Sequence, residues 1–265
     1  MAPKVIFTCF AGRERYLKLL VPYINILVKR KLIDEVHFWD YTRDPSDAEF
    51  IRTLPFSILV PNSKENFSDY YKYYRRSKYP DPKTVIIKCD DDIVYIDVDR
   101  FESFIQARRD VDWAIMFSPS VVNNPVCGSA QFKNGILPGF KDTDFSVNAD
   151  AGIKIHKYFL KNKKLFMADS FKTDPFTGVG NETKARFNIN FIAILAKDLD
   201  ELFDSPYLAE DDEAYLGVYA PRYFNRCVCI HNHFVVAHMA YTSQRNGGMD
   251  ESQFLEKYRA LIPKM

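Results

Sequence analysis

Nothing in this sequence supports a membrane span. Its longest apolar stretch, LLVPYINILV (Leu19–Val28), is about half the ~20 residues a bilayer needs, and Asn25 interrupts it. The opening MAPKVIFTCF lacks the apolar core and cleavage site of a signal peptide. Cysteine is sparse and odd in number, five residues without a C-x-x-C pair. Cys227 and Cys229 stand two apart in RCVCI, on one face of a strand, which suits neither a local disulfide nor a zinc knuckle. The cysteines read as reduced core residues, so the expectation is a soluble, cytoplasmic protein in which the sequons at Asn66 and Asn181 have no role. Net charge is equally thin. A balance of 36 Lys and Arg against 35 Asp and Glu argues against nucleic-acid binding through a broad basic face. The basic, aromatic run YYKYYRRSKY (Tyr70–Tyr79) has no matching face elsewhere in the chain. Internal repeats and low-complexity tracts are also lacking.

What is present is core-forming material. The 265 residues are 47% hydrophobic and 15% aromatic, enough for one large domain with a sizeable core. KVIFTCF, EVHFWDY, FSILV, TVIIKC and DWAIMFS read as strands. Between the first two, Leu17, Leu20, Val21, Ile24, Leu27 and Val28 recur at helical spacing, with Pro22 as a point of kinking. DVDRFESFIQARR reads as a helix capped by Asp97 or Asp99. Strand–helix alternation predicts an α/β fold with a mixed, mostly parallel sheet flanked by helices, and ligands beyond the carboxyl ends of the strands. From 119 to 184 the chain is rich in Asn, Gly, Pro and Asp, which predicts long loops around one short helix, IKIHKYFLKN. FNINFIAILA and RCVCIHNHFVVAHMAY restore strands; KDLDELF, the LAEDDEAYLGVYAPRYF region and DESQFLEKYRALI read as helical.

The chemistry concentrates in TVIIKCDDDIVYID. Three adjacent carboxylates, Asp90, Asp91 and Asp92, end a hydrophobic strand, where like charges repel and resist burial. A divalent cation would offset that cost. Strand alternation puts Asp90 and Asp92 on one side, a hard oxygen site for Mg²⁺ or Mn²⁺. The run is not an EF-hand, since it lacks the Gly at loop position six and the closing Glu. Nor is it an aspartyl-phosphatase loop, because Val94 stands where a Thr is needed. After the first strand, Thr8, Phe10, Ala11, Gly12 and Arg13 could approach phosphates or a base, with Gly12 permitting close backbone contact. Asp40, at the end of the second strand, could accept from a uracil or ribose. Near the C-terminus, TSQRNGG reads as a flexible loop able to close over phosphates, with Arg245 as its cation.

KCDDDIVYID resembles the D-x-D region of GT-A glycosyltransferases, which use nucleotide-sugar donors. FTCFAGRERY, MFSPSVVNN and NINFIAILA are similar to small glycosyltransferases of large algal viruses (chloroviruses), xylosyltransferases among them, and the likeness covers most of the chain. The resemblance implies a single GT-A, Rossmann-like domain over residues 1–265. Residues 1–118 would form the nucleotide-sugar half and 119–265 a loop-rich acceptor and catalytic half. It implies a UDP-sugar donor, a glycan acceptor and a role in viral capsid glycan synthesis in the host cytoplasm. It implies that Asp92 holds Mn²⁺ or Mg²⁺ while Asp90 or Asp91 contacts ribose or sugar. It further implies a late histidine as metal ligand, His238 first and His233 second, and a general base in AEDDEAYLG, Asp211 or Asp212. A metal-dependent phosphodiesterase or nuclease, and a carbohydrate-binding domain with a structural metal, are the competing classes.

Overall fold

The computed structural model describes residues 2–62, 67–139, 148–167, 176–179, 186–204 and 211–264. The sequon asparagines Asn66 and Asn181 and the first two residues of AEDDEAYLG lie outside them. Among the described residues the strands form one mixed sheet. They are β1 (Val5–Ala11), β2 (Glu35–Asp40), β3 (Ser57–Leu59), β4 (Val85–Asp90), β5 (Ile93–Ile96), β6 (Ala114–Val122), β7 (Phe176–Val179), β8 (Phe191–Leu195) and β9 (Cys227–His238). Their order is β3-β2-β1-β4-β8-β6-β9-β5, with β7 paired to β9. Pairing is parallel across β3-β2-β1-β4 and between β6 and β9, and antiparallel elsewhere. The central strands β1, β4 and β8 are nearly continuous apolar runs because both of their faces are covered.

The helices are α1 (Glu14–Lys29), α2 (Pro45–Arg52), α3 (Phe67–Lys72), α4 (Phe101–Asp110), α5 (Pro125–Lys133), α6 (Ala149–Asn162), α7 (Ala196–Phe203), α8 (Asp212–Ala214), α9 (Ala220–Tyr223), α10 (Thr242–Asn246) and α11 (Ser252–Arg259). A π-turn, Tyr215–Tyr219, joins α8 to α9. Helix α1 carries Pro22 inside it and buries Leu17, Leu20, Ile24 and Leu27, each contributing roughly 1.5–3 kcal/mol by transfer from water. No helix among the described residues is long and apolar enough to cross a membrane.

Several local expectations change. Helix α4 begins at Phe101 with Arg100 as its uncapped N-cap residue, too late for Asp97 or Asp99 to cap it; those carboxylates pair with Arg100 and Arg30 instead. Strand β6 continues through Pro119, which sits where the register with β9 shifts and no ladder donor is required. Helix α5 occupies a stretch read as loop, and α2 one to which no element was assigned. TSQRNGG forms α10, with Gln244 fully buried, rather than an open loop.

Register brings the functional residues to one edge. Ala11 lies beside Asp40, and Phe10 beside Asp90. Strand β8 runs the other way, so its start is at this edge, where the Asp90 amide donates to the Asn190 carbonyl at 2.9 Å. Only Asp91 and Asp92 separate β4 from β5, yet β5 pairs with β9, Ile93 beside His238. The sheet therefore curls until its far edge returns to the aspartate turn.

Candidate active site

The turn after β4 does not continue strand alternation. Asp90 faces back along the sheet, accepting from Lys88 Nζ at 2.5 Å and from Asn190 Nδ2 at 3.2 Å. Asp91 and Asp92 converge instead, because the chain leaves the strand between Asp90 and Asp91. Arg13 Nε donates to Asp91 at 3.1 Å, and its Nη2 contacts both Asp91 and Asp92, the latter at 2.9 Å. The Gly12 amide also donates to Asp91, at 2.9 Å. A Cβ on Gly12 would lie 3.3 Å from both the Asp91 carboxylate and the Tyr41 carbonyl, so a residue without a side chain suits this approach. Burial pushes the Asp91 carboxyl up to about 6, against the pull of Arg13. Burial opposes ionisation of Asp92 too, but His238 and Arg13 outweigh it and hold that carboxyl well below the usual range.

These residues line a cleft of about 430 Å³ at the carboxyl edge of the sheet. Of the sequence-selected residues, Phe10, Gly12, Arg13, Asp90, Asp91, Asp92, His238 and Arg245 line it. Thr8 and Ala11 are buried beneath the edge, where Thr8 accepts from the Tyr74 hydroxyl at 2.9 Å. Asp40 closes its own turn by accepting from the Thr42 amide at 3.0 Å. His233 lies on β9 away from the cleft lining.

The acidic helix start divides its work among three carboxylates. Asp211 is exposed and caps α8, accepting from the Ala214 amide at 2.6 Å and pairing with Arg186 at 2.8 Å. Asp212 turns inward to the Tyr71 hydroxyl at 2.9 Å, and burial raises its carboxyl above the ordinary value. Neither lines the cleft. Glu213 does, and sequence reading passed over it. Burial raises its carboxyl as well, against Arg186 at 3.3 Å and the buried Lys88. Its side chain accepts from Asn188 Nδ2. The π-turn that follows sits against the β8 approach, since a Cβ on Gly217 would fall 2.3 Å from the Phe187 carbonyl oxygen.

The C-terminal contributions are firmly held. His238 Nδ1 faces the Asn123 carbonyl at 3.4 Å, and Nε2 stands 3.5 Å from Asp92. Asn123 adopts a left-handed backbone, φ 63°, and exchanges two side-chain hydrogen bonds with Gln244, at 3.0 and 2.9 Å. Gln244 lies in α10, next to Arg245. Arg245 Nη1 is shared between Asp92 at 3.6 Å and Glu251 at 3.5 Å.

Asp92 and His238 are the residues of this set that could share a divalent ion with oxygens of a ligand. Among the described residues no group of three His, Cys, Asp or Glu is arranged to hold a metal, and Asp90 is already engaged by Lys88 and Asn190. Asp92 and His238 remain, one carboxylate and one imidazole, with further oxygens left to a diphosphate or water. Two guanidiniums already stand beside Asp92, Arg13 at 2.9 Å and Arg245 at 3.6 Å.

No protein-family model matches the chain, and no curated protein matches it. Solved structures do. GalNAc-T7 with UDP, GalNAc and Mn²⁺ superposes with a TM-score of 0.50 at 13% identity, over 92% of this chain and 45% of that one. A 4-diphosphocytidyl-2C-methyl-D-erythritol synthase from Anaerococcus prevotii DSM 20548 gives 0.47 at 14% identity, over 96% and 99% of the two chains. The galactosyltransferase LgtC, with donor and acceptor sugar analogues, gives 0.39 at 13%, over 98% and 97%. Likeness at such identities is one of fold. With GalNAc-T7 it shows a mixed α/β sheet flanked by helices, of the GT-A, Rossmann-like kind.

Proposed function

We propose that this chain is a metal-dependent glycosyltransferase that moves a sugar from a UDP-sugar to a glycan hydroxyl, with inversion. One observation carries the reading. The cleft is lined by six carboxylates, Asp44, Asp47, Asp90, Asp91, Asp92 and Glu213, against three guanidiniums, Arg13, Arg43 and Arg245. A diphosphate alone would add negative charge to an acidic wall, whereas a diphosphate with Mn²⁺ or Mg²⁺ would complement it. Asp92 and His238 would hold that ion, whose charge offsets the negative charge growing on the departing UDP. Arg13 and Arg245 would then turn from Asp92 to phosphate oxygens. Asp90, fixed by Lys88 and Asn190, would face the sugar.

Glu213 is the base in this reading. It takes the proton of the acceptor hydroxyl as that oxygen bonds to the anomeric carbon, and the electrons of the broken bond leave with UDP. Attack opposite the leaving group inverts the configuration. The fold shared with GalNAc-T7, whose structure holds UDP and Mn²⁺, supports the donor and metal. The sequence resemblance supports xylose as the sugar and an algal-virus glycan as the product.

The test is incubation with UDP-xylose, UDP-glucose and UDP-galactose, Mn²⁺ and glycan acceptors, reading released UDP and the product anomer by NMR. UDP release with an inverted product is expected. Nucleoside monophosphate release would point to a phosphodiesterase, and pyrophosphate release from a nucleoside triphosphate to nucleotidyl transfer. Either would overturn the reading, as would a retained anomer for the inverting step.

A further inference from the structure

Resting on the donor-site reading above, we infer that Glu251 is a positioning residue for that site: it receives Arg245 when Asp92 takes an ion, and so clears Asp92 for the ion. Arg245 is a shared cation. Its Nη1 stands 3.6 Å from Asp92 and 3.5 Å from Glu251 Oε1, while donating to the Ala240 carbonyl at 2.5 Å. Both carboxylate contacts are longer than the ~3.2 Å of an ordinary N–H···O bond, so Arg245 is committed to neither. With a divalent ion on Asp92, the guanidinium beside it would meet like charge. Glu251 is the carboxylate on its other side.

The surroundings of Glu251 suit that role. It occupies the N-cap position of α11, yet its side chain makes no capping bond. The side chain is 7% exposed and turns toward α1. There the Tyr16 hydroxyl donates to Oε2, and Arg15 Nη2 lies 3.0 Å from the same oxygen. Arg15 also donates to the Tyr16 hydroxyl at 2.7 Å, so the two residues hold Oε2 jointly. Burial and the Glu251 charge push the Tyr16 phenol well above the ordinary tyrosine range, which keeps it a donor. Oε1 is buried and has no hydrogen bond among the described residues. A shift of roughly 0.5–1 Å would bring Arg245 Nη1 within hydrogen-bond range of it. Tyr16 also supports the other guanidinium at Asp92, since Arg13 lies over its ring, 4.7 Å from the centroid. Gln at position 251 would keep its carbonyl oxygen on the Tyr16 hydroxyl and turn its NH₂ toward Arg245, donor against donor. Arg245 would then stay with Asp92 and compete with the ion.

Calorimetry of UDP with Mn²⁺ and with EDTA tests this, the readout being the factor by which Mn²⁺ tightens UDP binding. In Glu251→Gln that factor should fall at least about fivefold below its wild-type value. Arg245→Met removes the competing guanidinium and should keep or raise the factor. In the Arg245→Met background, Glu251→Gln should change it by no more than about twofold. Tyr16→Phe keeps the ring under Arg13 and removes the hydroxyl that holds Glu251, so it should lower the factor as Glu251→Gln does. An unchanged factor in Glu251→Gln overturns the inference; if that variant does not fold, an unchanged factor in Tyr16→Phe overturns it instead. An equal fall in Arg245→Met, or the same loss from Glu251→Gln in both backgrounds, would also overturn it, since Glu251 would then not act through Arg245. If wild-type protein shows no Mn²⁺-dependent UDP binding, the donor-site reading falls and the inference with it.

Discussion

Replacing Glu213 with Gln removes one negative charge and one proton acceptor while leaving shape almost unchanged. The amide oxygen can still accept from Asn188 Nδ2, so the local packing under the π-turn should survive. A general base contributes typically 10²–10⁴-fold, about 3–5 kcal/mol of barrier, and that loss should appear in kcat. Glu213 makes no contact with Asp92, His238 or Arg245, so donor affinity should stay within about twofold of wild type. The assay is steady-state turnover at saturating donor and acceptor, with UDP-sugar affinity by calorimetry. Asp211→Asn should turn over normally, because Asn caps a helix as well as Asp does. Asp212→Asn should keep the Tyr71 contact and lose no more than about threefold. The pH profile gives a second readout. Burial raises the Glu213 carboxyl, and the base must be ionised to act, so kcat should fall as pH drops through a value above that of an ordinary glutamate. Gln at this position should abolish that limb. Turnover within tenfold of wild type in Glu213→Gln, or a hundredfold loss in Asp212→Asn, would refute the assignment.

Three further outcomes follow from packing. Gly217→Ala puts a Cβ 2.3 Å from the Phe187 carbonyl oxygen, which should cost about 1–3 kcal/mol in thermal or urea unfolding and reduce turnover more than UDP binding; unchanged stability would contradict the close approach. Asp198→Asn breaks the buried pairs with Arg108 at 2.6 Å and Arg226 at 2.9 Å, and should destabilise by about 3–5 kcal/mol in urea titration while folded protein keeps its UDP affinity. Gln244→Ala leaves the Asn123 amide short of its partner, with an expected loss of about 1–3 kcal/mol in stability and weaker UDP binding as α10 and Arg245 loosen.

The strands were the most legible part of the sequence, since β1, β4 and β8 are apolar runs bounded by polar residues, and the edge where β1 and β4 end and β8 begins carries site residues. Helices α2 and α5 were also written there, in RDPSDAEFIR and NNPVCGSAQF, where Asp44 or Asn124 precedes a proline and caps the helix. Composition drew the α5 stretch toward loop, and the α2 stretch was assigned no element. The aspartate turn identified itself, but the partner of each carboxylate did not. Strand alternation pairs Asp90 with Asp92 only while the strand continues, and the chain turns at Asp91. Glu213 shares its short helix with two equally acidic neighbours, and only the inward pull of Tyr71 on Asp212 and the cap made by Asp211 show which one is left for the cleft. The Asn123–Gln244 amide pair joins residues 121 positions apart, beyond the reach of any local pattern.

Calorimetric titration of UDP into wild type and Asp92→Asn, each with Mn²⁺ and with EDTA, tests the central claim most directly. Asp92 is 3% exposed and faces His238, Arg13 and Arg245, so its charge is the one a metal-bound diphosphate would use. Wild-type protein should bind UDP at least about tenfold more tightly with Mn²⁺ than with EDTA, and Asp92→Asn should show no such difference. Equal UDP affinity with and without metal in the wild type would contradict a metal-dependent donor site.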